Sequence, residues 1–111
     1  MNTSNNFRGE FEVMFKGKKH DALFTMNAIR LILGGEKIKL SDFDKWLSSD
    51  PLTAIPTIAY YSVINWHIQN DKKFSANKDK FIALILDEGN LEEITDVIGA
   101  ALNPAGDEEG K

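Results

Sequence analysis

The stretch from Leu52 to Ile68 carries Leu52, Ala54, Ile55, Ile58, Ala59, Tyr60, Tyr61, Val63, Ile64, Trp66 and Ile68. At about 100° per residue these side chains spread over most of a helix circumference instead of forming one stripe. A helix apolar on nearly every side is either the centre of a core or also meets a partner. A chain of 111 residues has length for one core, since domains commonly hold roughly 100–150 residues. Central burial and partner contact therefore compete for the same helix, and the rest of the chain is best read against that competition.

Ordering a residue costs about 1–2 kcal/mol of backbone entropy, while burying a large aliphatic side chain returns about 1.5–3 kcal/mol. One core of this size leaves little margin, so a surface buried by a partner would matter to stability. The 42% hydrophobic and 27% charged content is that of a globular chain and argues against wholesale disorder. A net charge of −4 argues against non-specific nucleic-acid binding. With no cysteine there is no disulfide framework, zinc thiolate site or cysteine nucleophile. The Leu52–Ile68 run is shorter than the ~20 apolar residues a bilayer needs, and Pro56, Asn65 and His67 interrupt it. Met1-Asn2-Thr3-Ser4-Asn5-Asn6 lacks the basic-then-apolar layout of a signal peptide. The expectation is a soluble protein with no membrane partner.

Residues 1–8 are polar and expected to be flexible. Phe11, Val13 and Phe15 alternate with Glu10, Glu12, Met14 and Lys16, the period-two pattern of a half-buried strand. A turn at Gly17-Lys18, or one residue later at Lys18-Lys19, returns a second strand with Ala22 and Phe24 on the same face, giving a β-hairpin over 10–24. Thr25 is placed to cap a helix over about 25–33, ended by Gly34-Gly35 through a left-handed glycine. Ser41-Asp42-Phe43-Asp44 starts another over about 41–49 in the manner of a capping box. Asp50-Pro51 has the form of an N-cap and first helical proline, but Pro56 argues for a main helix over about 54–70, kinked at its start. Ser75 caps a helix over about 76–88, stopped by Gly89, and Asn90-Leu91-Glu92-Glu93 caps the last over about 91–102. Leu91, Ile94, Val97, Ile98 and Leu102 give that helix a 3.6-residue stripe. The expected architecture is therefore α+β, mainly helical: an N-terminal hairpin and about four or five helices in a single domain over 9–102, with a flexible acidic tail over 103–111.

Few residues suggest chemistry. His67 and Asp71, four apart, have the spacing to share a helical face and to act as a general base with its orienting acid. No motif supplies a nucleophile, and a polar pair at a helix end is the favoured reading. Asp42 and Asp44 lack the later ligands and the glycine of a calcium loop and read as helix-start acids. Gly34-Gly35-Glu36-Lys37 does not have P-loop spacing. Lys16, Lys18, Lys19 and His20 form a basic hairpin tip, read as a solvated turn in preference to a phosphate site. No catalytic residue, metal site or cofactor is expected.

Aromatic side chains are the stronger signal. Trp46, Tyr60, Tyr61 and Trp66 fall close together in sequence, and Tyr and Trp are enriched at binding hot spots. They are the candidate partner-binding residues, weighed against a role as core and boundary residues of a small helical domain. On a helix, Tyr60 and Trp66 do not both share the direction of Ile58 and Tyr61, so something further is expected to cover them; if they face outward, replacing either by alanine should weaken binding more than it unfolds the domain.

Over residues 8–102 the layout resembles the tail assembly chaperones of long-tailed bacteriophages. The likeness runs through Arg8-Gly9-Glu10-Phe11-Glu12-Val13 leading to Phe15-Lys16-Gly17-Lys18, then Ala28-Ile29-Arg30-Leu31-Ile32 and the Tyr60-Tyr61 helix. It ends with Ile82-Ala83-Leu84-Ile85-Leu86-Asp87 before Leu91-Glu92-Glu93-Ile94. It is a likeness of layout and character and carries no catalytic motif. The resemblance implies a non-enzymatic protein that binds the tape measure protein and helps the tail tube protein polymerise around it. It further implies action in the host cell cytoplasm, absence from the mature virion, and a longer frameshift-extended form of the same chain joined near Pro104–Lys111. Self-association is expected as well. The alternative is a small phage structural protein, a head–tail connector or completion factor retained in the virion. A small hydrolase using His67 and Asp71 is the remaining rival.

Overall fold

The computed structural model describes residues 9–102; the expected flexible segments 1–8 and 103–111 lie outside the described residues. Strands β1 (Glu10–Phe15) and β2 (Lys18–Leu23) form an antiparallel hairpin, with Phe11 opposite Ala22, Val13 opposite His20 and Phe15 opposite Lys18. Phe11, Val13, Phe15, Ala22 and Phe24 are all buried, so the face assignment read from the alternation holds. The turn lies one residue earlier than expected, at Lys16-Gly17, with φ of 55° and 74°. Positive φ at both central positions is what a type I′ turn requires, and this turn matches the twist of the paired strands. At the open end, Phe24 N donates to Gly9 O at 2.8 Å. Gly9 has φ 87°, and a Cβ there would stand 2.1 Å from the Phe24 carbonyl oxygen, so only glycine fits.

Five helices follow: α1 (Met26–Glu36), α2 (Phe43–Ser49), α3 (Pro51–Gln69), α4 (Lys78–Glu88) and α5 (Leu91–Leu102), with a 3₁₀ turn at Leu40–Asp42 leading into α2. The α+β, mainly helical architecture is thus the observed one. Helix α1 does not stop at Gly34-Gly35. It runs through both and ends where Lys37 takes the left-handed conformation (φ 58°). Ile38 N then donates to Leu33 O at 3.1 Å, the closing bond of a Schellman motif. Helix α3 starts at Pro51 and takes Pro56 into its interior, so the expected start near Ala54 is too late. Proline at that position removes the bond to the Leu52 carbonyl. Leu52 sits in the exposed first turn, where water can satisfy the freed oxygen. Asn77, not Ser75, caps α4 by accepting from Lys80 N at 2.9 Å.

Helix α3 lies at the centre. It packs on β2, α1, α2, α4 and α5, while α4 and α5 also reach β1. Ile58, Ala59, Val63, Phe81, Ile85, Ile94 and Ile98 meet the inner face of the hairpin in one core. The competition set up by the apolar run is resolved chiefly by enclosure, with neighbours on nearly every side of α3.

Candidate interaction surface

The four aromatic residues singled out in the sequence do not form one patch. Trp46 projects from α2 onto the core beside Phe43, with ring centroids 5.6 Å apart. Tyr60 and Tyr61 are neighbours at 5.3 Å, but their hydroxyls go to different places. Tyr60 Oη donates to the Ala76 carbonyl at 3.0 Å, and its ring meets Phe81 at 5.4 Å and Phe74 at 6.4 Å. The segment between α3 and α4 therefore supplies the further cover expected for Tyr60, which is half-buried against the core. Trp66 is half-buried near the C-terminal end of α3, 5.1 Å from the His67 ring and under the Lys72 ammonium at 5.4 Å. Unlike the other three, it is not packed against the main core.

Tyr61 belongs to a latch between three helices. Its hydroxyl donates to Glu36 Oε2 at 3.3 Å, and Lys78 Nζ donates to the same oxygen at 2.5 Å. The Lys78 ammonium also lies 5.9 Å from the Tyr61 ring centre. Burial chiefly pushes the Tyr61 hydroxyl above its ordinary 10.0, the Lys78 charge opposes this, and the Glu36 carboxylate adds to it. The hydrogen bond to Glu36 chiefly raises Lys78 above its ordinary 10.5, against the effect of burial. The position of the Tyr61 ring explains the uninterrupted Gly34-Gly35. A Cβ on Gly35 would stand 2.1 Å from Tyr61 Oη and 2.7 Å from Cζ. This glycine makes room for a ring and does not end a helix.

The two histidines, far apart in sequence, share one neighbour. Phe74 lies 5.6 Å from the His20 ring and 5.3 Å from the His67 ring, and it also touches Phe15 and Phe81. His67 Nδ1 is 2.8 Å from the Val63 carbonyl, so in the neutral ring that nitrogen carries the proton and donates. Asp71 has left the helix at φ 57°, and no hydrogen bond joins it to His67 among the described residues. The i, i+4 pair does not form because Asp71 takes the left-handed position of a second Schellman motif, in which Lys72 N donates to His67 O at 2.7 Å. Lys16, Lys18 and Lys19 are exposed around the turn, and Asp42 and Asp44 are exposed at the start of α2. Among the described residues no three His, Asp or Glu side chains converge as metal ligands.

Two polar anchors escaped the sequence reading. Asn65 is fully buried, donating to Leu23 O at 2.8 Å and Thr25 Oγ1 at 3.1 Å and accepting from Asn27 Nδ2 at 2.7 Å. It ties α3 to the passage from β2 into α1, and it draws the Thr25 hydroxyl away from capping α1. Asn90 precedes α5 as expected, but its side chain turns to the free edge of β1. There it accepts from Met14 N and donates to Glu12 O, both at 2.9 Å. A lone asparagine in an apolar run gives no signal for the first role, and a capping-box pattern conceals the second.

Among the described residues, the large apolar side chains left in solvent are Met26 (67% exposed), Leu52 (65%), Leu40 (60%), Ile68 (50%) and Leu86 (39%). Comparison of the chain with family models, with curated proteins and with solved structures returned no match.

Proposed function

We propose that the chain is a protein-binding module that serves as a bacteriophage tail assembly chaperone, holding the tape measure protein while tail tube subunits polymerise around it. In this reading it works without catalysis in the host cytoplasm, leaves before the virion is complete, and has a frameshift-extended form as an additional partner. The layout of residues 8–102 supports the family, and one structural observation supports the mode of action. The core is already filled by α3, yet Leu40, Leu52, Met26 and Ile68 stand at least half exposed. Covering one such side chain with a partner's apolar surface is worth up to about 1.5–3 kcal/mol, and the net charge of −4 helps keep the unbound protein in solution.

Co-expression with a tape measure fragment is the test. The fragment should stay soluble and co-purify, and Leu52→Ser or Ile68→Ser should reduce recovery while leaving the domain folded. Absence of association at matched expression would remove the reading. Recovery of the chain from purified mature particles would replace it with the structural connector.

A further inference from the structure

We propose that the outer edge of β2 is a self-association surface, pairing antiparallel with β2 of a second copy about a two-fold axis at His20. The proposal does not rest on the tape measure reading. The two-residue turn makes Phe15 and Lys18 a hydrogen-bonded pair, so bonded pairs recur at Val13–His20 and Phe11–Ala22. The peptide groups of Lys19, Asp21 and Leu23 consequently point away from β1. The same alternation is visible in what meets the hairpin from outside. Asn90 reaches the outward groups of Glu12 and Met14 on β1, and Asn65 reaches the outward carbonyl of Leu23 on β2. Asn90 thus blocks the β1 edge, and Asn65 ends the β2 edge at Leu23. Between that stop and the turn, the outward N–H and C=O groups of Lys19 and Asp21 have no hydrogen-bond partner among the described residues.

Charge selects the occupant. A strand added to this edge bonds through residues of matching alternation, so the antiparallel registers open to a second β2 are few. Centring on Lys19 sets lysine against lysine, and centring on Asp21 sets aspartate against aspartate and needs the Leu23 carbonyl that Asn65 holds. Centring on His20 sets Lys19 against the copy's Asp21 and Asp21 against the copy's Lys19. Each of those pairs exchanges both backbone bonds, and opposite charges face each other across the strands. The pattern is self-complementary, as a two-fold interface demands. Among the described residues, Lys19 is engaged only by Glu12 at 3.6 Å, with both side chains at least half exposed. Such a pair holds its partners loosely.

Sedimentation velocity from micromolar to millimolar chain should show a concentration-dependent dimer, weak because the shared ladder is short. Lys19→Asp or Asp21→Lys alone places like charges across the axis and should weaken the dimer by about tenfold or more. The combined Lys19→Asp/Asp21→Lys variant is self-complementary again and should recover it, with circular dichroism confirming that all three are folded. An independent arm uses the absence of cysteine. The central pair is non-hydrogen-bonded with Cα atoms about 4.5 Å apart, within disulfide reach. Oxidised His20→Cys should therefore form a covalent dimer, and adding Lys19→Asp should suppress it. A chain monomeric at millimolar concentration, single reversals that dimerise like the wild type, or a double variant that stays monomeric would each overturn the proposal.

Discussion

Gly35 illustrates how one position can be read correctly as special and wrongly as to why. Glycine inside a helix costs roughly 1 kcal/mol relative to alanine, so Gly35→Ala should stabilise the domain if the site were only a length of helix. The Tyr61 ring lies where that methyl group would go, and moving it breaks the bond to Glu36. The expected outcome in urea unfolding is a loss of about 1–2 kcal/mol, turning into a gain when Tyr61 is first replaced by alanine. Asn65 and Ser62 make a second contrast on the same helix. Both are fully buried, but Asn65 is bonded on each side of its amide while Ser62 Oγ has no partner among the described residues. Asn65→Ala strands the Leu23 carbonyl and the Asn27 amide and should cost about 2–4 kcal/mol, whereas Ser62→Ala should be neutral or stabilising by up to about 1 kcal/mol. Equal losses for the two variants in equilibrium unfolding would contradict this account of the helix.

At the scale of elements, the latch joining α1, α3 and α4 through Glu36, Tyr61 and Lys78 holds two groups, the Tyr61 hydroxyl and the Lys78 ammonium, that release protons only in alkali. Both Tyr61 and Lys78 have their proton affinities raised by folding. A group raised in the folded state contributes stability that is present below its unfolded value and is lost as pH climbs through its folded value. The latch should therefore hold unchanged through neutral pH and weaken above about pH 10. Urea midpoints followed from about pH 8 to about pH 11 should fall less steeply for Tyr61→Phe or Lys78→Met than for the wild type; parallel curves would show that the latch carries no such linkage. The elements themselves were largely legible because they rest on repeating patterns. The alternation of Phe11, Val13 and Phe15 identified the inner face of the hairpin, and the stripe through Ile94 and Ile98 identified α5. The ends were less legible because the determinants are not local. Lys37 and Asp71 end their helices in a conformation that sequence reading reserves for glycine, Pro56 sits inside α3 near an exposed first turn, and Phe74, between α3 and α4, touches both histidines. The grouping of the candidate residues was the least legible. Trp46, Tyr60, Tyr61 and Trp66 are close in sequence but do not gather in one patch, with only Tyr60 and Tyr61 in ring contact, since residue type alone does not say which side of a central helix is covered.

For the whole molecule, the decisive arrangement is that an acidic chain encloses its most apolar helix within itself. The hairpin, α1, α2, α4 and α5 all pack on or around α3, and the apolar side chains left over stand mainly at its two ends and on α1, α4 and the Leu40 turn. A chaperone of this design would offer scattered apolar side chains to its partner while its core stays closed, and it would not need to unfold to bind. The opposite design, in which α3 is held loosely and given up to a partner, predicts a different pattern of local stability in the free protein. Native-state hydrogen exchange on the isolated chain separates them directly. Amides of Ile58 to Asn65 should be among the slowest in the molecule and open only with global unfolding. Exchange of that segment through local opening, while the hairpin and α5 remain protected, would contradict the enclosure of α3.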